Sequence, residues 1–247
     1  MQIYQVKGRL VNSYVVEDGQ HLFVVDVAVE GEKYVLGFIE QVLHRPIKDV
    51  TLVLSTHDDP DHIGGVRRLA KQCGAEVGYP LASLDPMTKM AHDPMGMVFR
   101  FGSGCMEMMR GRAWDMYVSP KRNALAQQKP MKKLDEDVAV AEDEKYTEPD
   151  YRLKDGNTLP GFPDWQVVHT PGHTWDSCCY YHTPSKSLLT GDTLLGSKKK
   201  GNVVMPSIYS NPFQLSQTIE RLKTLNPCFI YPGHGSHFEG SDLLGHL

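Results

Sequence analysis

A mixed α/β fold with strands and helices in separate layers is what this sequence predicts, and three observations predict it. Short β-branched and aromatic runs alternate with apolar residues at helical spacing in both halves of the chain. Four of those runs end in a polar turn that carries His or Asp beside Gly or Pro: Thr56 to Gly65, His169 to Thr174, Leu189 to Thr193 and Tyr231 to Gly235. Between the halves, a methionine-rich stretch from roughly Leu84 to Glu148 interrupts the alternation.

In chain order, Gln2 to Val6, Ser13 to Glu17 and Leu22 to Asp26 read as strands, with Asp18-Gly19 marking a hairpin turn. Tyr34, Val35, Phe38, Ile39, Val42 and Leu43 share one face of a helix over Tyr34 to Leu43. The apolar run Val50 to Leu54 predicts a buried strand that carries Leu52 to Leu54 into the His57 loop, and Ile63 to Cys73 predicts a helix after it. The second half predicts strands near Gln166 to His169, Cys178 to His182, Ser187 to Thr190 and Phe229 to Tyr231. Asn211-Pro212 predicts a helix running through about Leu225, with Asn as N-cap and Pro at the first helical position.

At 247 residues and 40% apolar content, the chain can build one sizeable core, so a single domain over 1–247 is expected, with an insertion or lid at about 84–148. A net charge of -4 and a pI near 6.2 offer no general attraction for polyanions, which argues against a nucleic-acid partner. The compact basic run Lys198-Lys199-Lys200 reads as a solvated loop. No basic segment followed by a long apolar one opens the chain, and no run approaches about 18 apolar residues, so a cytoplasmic protein with no membrane partner is expected. Cys73, Cys105, Cys178, Cys179 and Cys228 show neither CxxC spacing nor a regular framework and read as reduced, mostly buried side chains.

Nine of the 11 methionines lie in the insertion (Met87, Met90, Met95, Met97, Met106, Met108, Met109, Met116 and Met131), beside Phe99, Phe101, Trp114 and Tyr117. Methionine is soft and adaptable, so this composition predicts a lid or wall shaped for an apolar substrate. Packing of the insertion against its own domain, or a homodimer contact through it, are the plainer readings. Asp135 to Asp150 is strongly acidic and reads as a solvated segment leading into the second half.

Chemistry concentrates in the first of the polar turns, where His57, Asp59, Asp61 and His62 stand within six residues. Two imidazoles and two carboxylates crowded onto one turn repel or lose hydration unless positive charge sits among them, so a metal site is the economical explanation. Asp61 as a simple helix N-cap is the bland alternative. It weakens once His173, Asp192 and His234 are found at the ends of three further strands, because a sheet edge converges such residues on one point.

These motifs resemble the signature of the metallo-β-lactamase superfamily: HxHxDH, then His in an HTPGHT-like segment, Asp in a GD segment and His in a PGH segment, in that order. The resemblance spans His57 to His234, most of the chain. It implies a four-layer αββα sandwich with the site at one edge, between the sheets. It further implies that His57, Asp59 and His173 bind one metal ion, that Asp61, His62 and His234 bind a second, and that Asp192 bridges both. Two divalent ions would then drive hydrolysis through a metal-bound hydroxide, with Asp61 also passing a proton to the leaving group. No GxSxG motif suggests a serine nucleophile instead.

One position departs from the family pattern: Asp59 stands where the second His is usual, so the motif reads HxDxDH. Two dications then face three carboxylates, Asp59, Asp61 and Asp192, which lowers their Lewis acidity. Zinc is the first expectation, while harder oxygen ligation draws in iron or manganese. Flavodiiron members of the superfamily place a carboxylate, Glu, at this position. The leading expectation is a hydrolase of an ester-like bond, whether thioester, lactone or other carboxylic ester, in a partly apolar small molecule. A diiron oxidoreductase, and a ligand-sensing or regulatory protein with negligible catalysis, are the rivals. Around the site, Asp26 is a candidate to orient a ligand imidazole, Trp175 to line the cavity or fill a core gap, and Tyr209 to act as an oxyanion donor.

Overall fold

The computed structural model describes residues 1–8, 11–82, 87, 91, 93–109 and 148–247. Strands β1 (Gln2–Lys7), β2 (Asn12–Asp18) and β3 (His21–Val25) form an antiparallel meander, with Asp18 paired to His21 across a turn where Gly19 takes φ +64°. Three parallel strands extend it, β4 (Val50–Leu54), β5 (Glu76–Pro80) and β6 (Tyr151–Leu153), in the order β1-β2-β3-β4-β5-β6. The second sheet begins with β7 (Thr158–Leu159), β8 (Phe162–His169), β9 (Cys178–His182) and β10 (Ser187–Gly191). A separate hairpin, β11 (Leu195–Ser197) with β12 (Asn202–Val204), precedes β13 (Phe229–Pro232) and β14 (Phe238–Glu239). The order in that sheet is β14-β13-β10-β9-β8-β7.

Side-chain alternation decides how these sheets stack. In β3, Phe23 and Val25 face the second sheet and join Tyr14, Leu52 and Leu54 in a core with Trp165, Val167, Tyr180 and Leu189. Leu22 and Val24 point the other way and pack under α1 (Glu32–Gln41) and α3 (Val66–Cys73), against Leu36, Ile39, Val66 and Leu69. The outer face of the second sheet is covered in turn by α5 (Pro212–Leu225), whose Ile219 and Leu222 meet Val168, Leu188 and Ile230. Helix, sheet, sheet, helix is the expected αββα sandwich.

Most expected elements are present, shifted by a residue or two at their ends, except that β8 begins at Phe162, four residues before the expected Gln166. The helix expected over Ile63 to Cys73 is instead divided into α2 (Pro60–Ile63) and α3, with the break at Gly64-Gly65. A Cβ on Gly65 would stand 2.3 Å from the Ala28 carbonyl oxygen, and Gly65 N donates to Val27 O at 2.8 Å, so the chain breaks where it must dock on the loop after β3. At α5 the cap is as expected: the Asn211 side chain accepts from Phe213 N and Gln214 N, each at 3.1 Å.

Of the insertion, residues 87, 91, 93–109 and 148 are described, and they include α4 (Pro94–Met108), a helix the sequence did not announce. Met90, Met116, Met131, Trp114 and Tyr117 lie outside the described residues, as does most of the acidic stretch. None of the five cysteines forms a disulfide, and Cys73, Cys178 and Cys179 are buried while Cys105 is exposed. No described helix is long and apolar enough to cross a membrane.

Candidate metal centre

The site sits where β3, β4, β10 and β13 end. Asp26 follows β3 at φ +59° and is buried, and it anchors the turn after β4: its Oδ1 accepts from Thr56 N at 2.7 Å, and its Oδ2 from Thr56 Oγ1 at 2.9 Å. The same Oδ2 lies 2.8 Å from His62 Nδ1. Because a carboxylate only accepts, the His62 proton sits on Nδ1 and Nε2 is left as a bare acceptor. Thr56 gives its hydroxyl proton to Asp26 and so accepts from His57 Nδ1 at 3.0 Å, which fixes the same tautomer there. His173 Nδ1 donates to Ile208 O at 2.8 Å with the same result. His234 is the exception, its Nδ1 having no partner among the described residues.

These Nε2 atoms point at three carboxylates. Asp59 Oδ2 is 3.3 Å from His57 Nε2 and 3.5 Å from His173 Nε2. Asp192 reaches His62 Nε2 at 3.4 Å with Oδ1, and His234 Nε2 at 3.3 Å and His173 Nε2 at 3.7 Å with Oδ2. Asp61 Oδ2 stands 3.4 Å from His234 Nε2 and 4.0 Å from His62 Nε2. All seven residues singled out from the sequence therefore meet, in three overlapping groups: His57, Asp59 and His173; His57, His62 and Asp192; Asp61, His62 and His234.

The residues present fit divalent metal. The Nε2 atoms of His57, His62 and His173 and Oδ1 of Asp192 are buried without a hydrogen-bond partner, a costly arrangement unless a cation takes their lone pairs. Ligand atoms bound tetrahedrally at roughly 2.0–2.1 Å would stand roughly 3.3 Å apart, close to the spacings observed here. The electrostatics agree. Burial alone would raise the pKa of Asp59, but His57, His173 and Arg100 overcome it and hold the carboxyl well below its usual range. Asp192 is likewise held well below that range by His234 and His62 in spite of burial, and Asp61 is lowered by His234 and His62. Burial works against charge on the imidazoles too, yet Asp26 and Asp192 push His62 well up and Asp192 with Asp61 pushes His234 to about 9. A field that favours imidazolium this strongly also favours a bound dication.

A cavity of about 540 Å³ opens over the site. Its apolar side is Leu195, Val204, Met205, Pro206 and Ile208, from the β11–β12 hairpin and the loop after it. None of the methionines described in the insertion lines it, and Met90, Met116 and Met131, which belong to the expected apolar wall, lie outside the described residues. Among the described residues the insertion lines the cavity only through Arg100 and Glu107, while Met95, Met97, Met106, Met108 and Phe101 are exposed on α4. The reason is helical phase: Gly96, Arg100, Ser103 and Glu107 recur at i, i+4, i+7 and i+11, so the polar stripe of α4 turns inward. That spacing is the signal the sequence reading missed.

Arg100 makes the contact that matters most, a two-pronged bridge to Asp59 with Nη1–Oδ1 at 3.0 Å and Nη2–Oδ2 at 2.5 Å. Of the peripheral candidates, Asp26 does orient an imidazole. Trp175 is half-buried and outside the cavity lining, its carbonyl accepting from His169 Nε2 at 3.0 Å. Tyr209 is not a lining residue either, and contributes through its backbone, whose N–H donates to Ser103 Oγ at 3.2 Å.

Comparison with known proteins agrees with this geometry. Residues 6–234 match the family described as the Metallo-beta-lactamase superfamily. A Beta-lactamase-like protein 2 homolog of Drosophila melanogaster is 24% identical over 229 residues, covering 92% of this chain; the chain spans 59% of that relative's length. A hydroxyacylglutathione hydrolase of Hydrogenovibrio crunogenus is 38% identical over 73 residues, 28% of this chain and 24% of that protein. Among solved structures, TTHA1623 in a di-iron-bound form shares the fold with a TM-score of 0.54 at 23% identity, covering 99% of this chain and 96% of that one.

Proposed function

The chain belongs to the metallo-beta-lactamase superfamily, and we propose that it is a metal-dependent hydrolase that cleaves a thioester, lactone or other carboxylic ester of a partly apolar small molecule. The observation that carries this reading is the convergence of four imidazoles and three carboxylates, with buried lone pairs unspent, beside an open cavity. His57, Asp59 and His173 would hold one divalent ion and Asp61, His62 and His234 a second, with Asp192 shared. Ions held there would acidify a water molecule and draw charge off a carbonyl oxygen.

The protein's own groups supply position and proton traffic. Asp26, Thr56 and Ile208 O keep three imidazoles in the tautomer that leaves Nε2 free. Asp61 is the most accessible of the three carboxylates, at 30% against 21% for Asp59 and 13% for Asp192, and is assigned the proton delivered to the departing oxygen or sulfur. Leu195, Val204, Met205, Pro206 and Ile208 suit an apolar acyl or alcohol portion. Likeness to a hydroxyacylglutathione hydrolase over 73 residues supports the ester-like class. Zinc is proposed as the metal, with iron or manganese the alternatives.

A second reading, a diiron oxidoreductase, rests on the carboxylate at Asp59 and on the di-iron-bound form of TTHA1623. The deciding experiment is elemental analysis of protein purified without added metal, joined to a hydrolysis screen over esters, thioesters and lactones. About two zincs per chain, lost in Asp192→Ala together with turnover, support the hydrolase. Tightly held iron with oxygen- or nitric-oxide-dependent turnover and no hydrolysis supports the redox enzyme. Full metal content, no turnover and tight binding of a metabolite would point to a regulatory protein instead.

A further inference from the structure

We propose that Arg100 is the charge partner that lets Asp59 stand in a metal-ligating set, so that Asp59 and Arg100 together act as one electrically neutral ligand. The inference rests on reading His57, Asp59 and His173 as such a set. Three observations carry it. The guanidinium meets Asp59 as a two-pronged fork, Nη1 on Oδ1 at 3.0 Å and Nη2 on Oδ2 at 2.5 Å. Only Oδ2 faces the imidazoles, 3.3 Å from His57 Nε2 and 3.5 Å from His173 Nε2, while Oδ1 is turned to Arg100. Lastly, α4 is fixed to the same loop that orients His173: Tyr209 N donates to Ser103 Oγ at 3.2 Å, and the neighbouring Ile208 O accepts from His173 Nδ1 at 2.8 Å.

The consequence is electrostatic and geometric together. A planar fork holds a carboxylate in one plane, which leaves Asp59 one oxygen to offer and removes the freedom to bind through both. The positive charge cancels the negative one that Asp59 adds to Asp61 and Asp192. A neutral single-atom donor results, and an unpaired guanidinium in its place would repel any cation bound nearby. Arg100 is therefore a specificity-determining residue for this ligand set, and its effect depends on which side chain occupies position 59.

Five proteins test this: wild type, Arg100→Gln, Arg100→Lys, Asp59→His, and the Asp59→His/Arg100→Gln double variant. Each is titrated with Zn²⁺ against a chromophoric chelator, with stoichiometry checked by elemental analysis and folding by thermal melt. Asp59→His alone is expected to bind the weaker ion at least tenfold less tightly than wild type, because Arg100 loses its bidentate partner and keeps only the charges of Asp58 and Asp176 nearby. Adding Arg100→Gln should recover that loss, and Arg100→Gln alone should tighten the same ion at least tenfold. Arg100→Lys, which keeps the charge but loses the fork, should tighten the same ion by less than Arg100→Gln does and guards against a variant that fails to fold. Equal affinities for Asp59→His with and without Arg100, or weaker binding in Arg100→Gln, would overturn the proposal while leaving the metal centre standing. A folded wild-type chain that takes up no divalent ion would overturn both.

Discussion

Asp26→Asn isolates a single proton. In the native chain Asp26 Oδ2 accepts from His62 Nδ1 at 2.8 Å and Oδ1 accepts from Thr56 N at 2.7 Å. An asparagine of the same shape keeps only one of these. With its oxygen on Thr56 N–H, its amide NH₂ faces His62 Nδ1, which must then accept, and the imidazole proton moves to Nε2 facing Asp192 Oδ1 at 3.4 Å. The opposite amide orientation sets NH₂ against Thr56 N–H, donor against donor, and is worse. Asn tolerates the φ of +59° at this position, so the backbone need not strain. A charge-assisted hydrogen bond is worth about 1.5–3 kcal/mol, and losing a carboxylate behind a ligand histidine typically costs about 10–100-fold in metal affinity. The expected outcome is a folded protein whose metal affinity falls by that factor, measured by chelator competition. Nitrogen-15 spectra of the histidine ring should move the His62 proton from Nδ1 to Nε2. Unchanged affinity together with an unchanged His62 tautomer would refute the reasoning.

Three further outcomes are expected. A Cβ on Gly233 would stand 2.7 Å from His62 Cε1 and 2.8 Å from Asp192 Oδ1, so Gly233→Ala should lower metal affinity at least about tenfold with only about 1–3 kcal/mol lost in urea unfolding. Phe23 packs edge-on against Phe162 and Trp165 with centroids at 4.7 and 5.1 Å, so Phe23→Ala should cost about 3–5 kcal/mol by the same urea assay and leave the metal stoichiometry of the folded fraction unchanged. Burial raises the pKa of Glu32 in spite of Arg68 at 3.3 Å, so the folded chain holds that proton more tightly than the unfolded one. The stability this adds is full below the ordinary carboxylate value and is lost as pH rises through the raised one; Glu32→Gln should flatten that limb, read as urea midpoints between about pH 4 and pH 7.

What could be read from the sequence is what depends on local pattern. His57, Asp59, Asp61, His62, His173, Asp192 and His234 stood out because each closes a β-type run, and the fold then only has to align strand ends. The start of α5 was legible because Asn211 and Pro212 act on their own turn. By contrast, β5 is short, with Gly78 and Pro80 inside it, and is held by β4 and β6 on either side, so no local preference announces it. The Asp59–Arg100 bridge joins residues 41 positions apart and exists only because α4 lies over the site. At the insertion, a count of methionines says nothing about which helical face turns inward, whereas the phase of Arg100, Ser103 and Glu107 does for α4.

The site straddles two sheets, so its geometry is a consequence of how those sheets are held in register. Asp26, Thr56, His57 and His62 belong to the first sheet and its loops, and His173, Asp192 and His234 to the second. Apolar packing between the sheets is strong but non-directional, and would tolerate small slides. At the end of the sandwich that bears the site, directional bonds remove that freedom. Tyr14 Oη donates to Pro232 O at 2.7 Å, and Asn12 Nδ2 donates to the same oxygen at 2.9 Å and to Gly235 O at 3.0 Å, tying β2 to the His234 turn. In the other direction, Tyr180 Oη donates to Ser55 O at 2.6 Å and Cys178 N to Thr56 O at 2.9 Å, tying β9 to the His57 turn. Each tie is worth only about 1 kcal/mol in stability, yet each lies within a few residues of a ligand candidate. Their larger effect is to fix the separation of the two halves to a fraction of an ångström, which is the tolerance that the sharing of Asp192 proposed above would require.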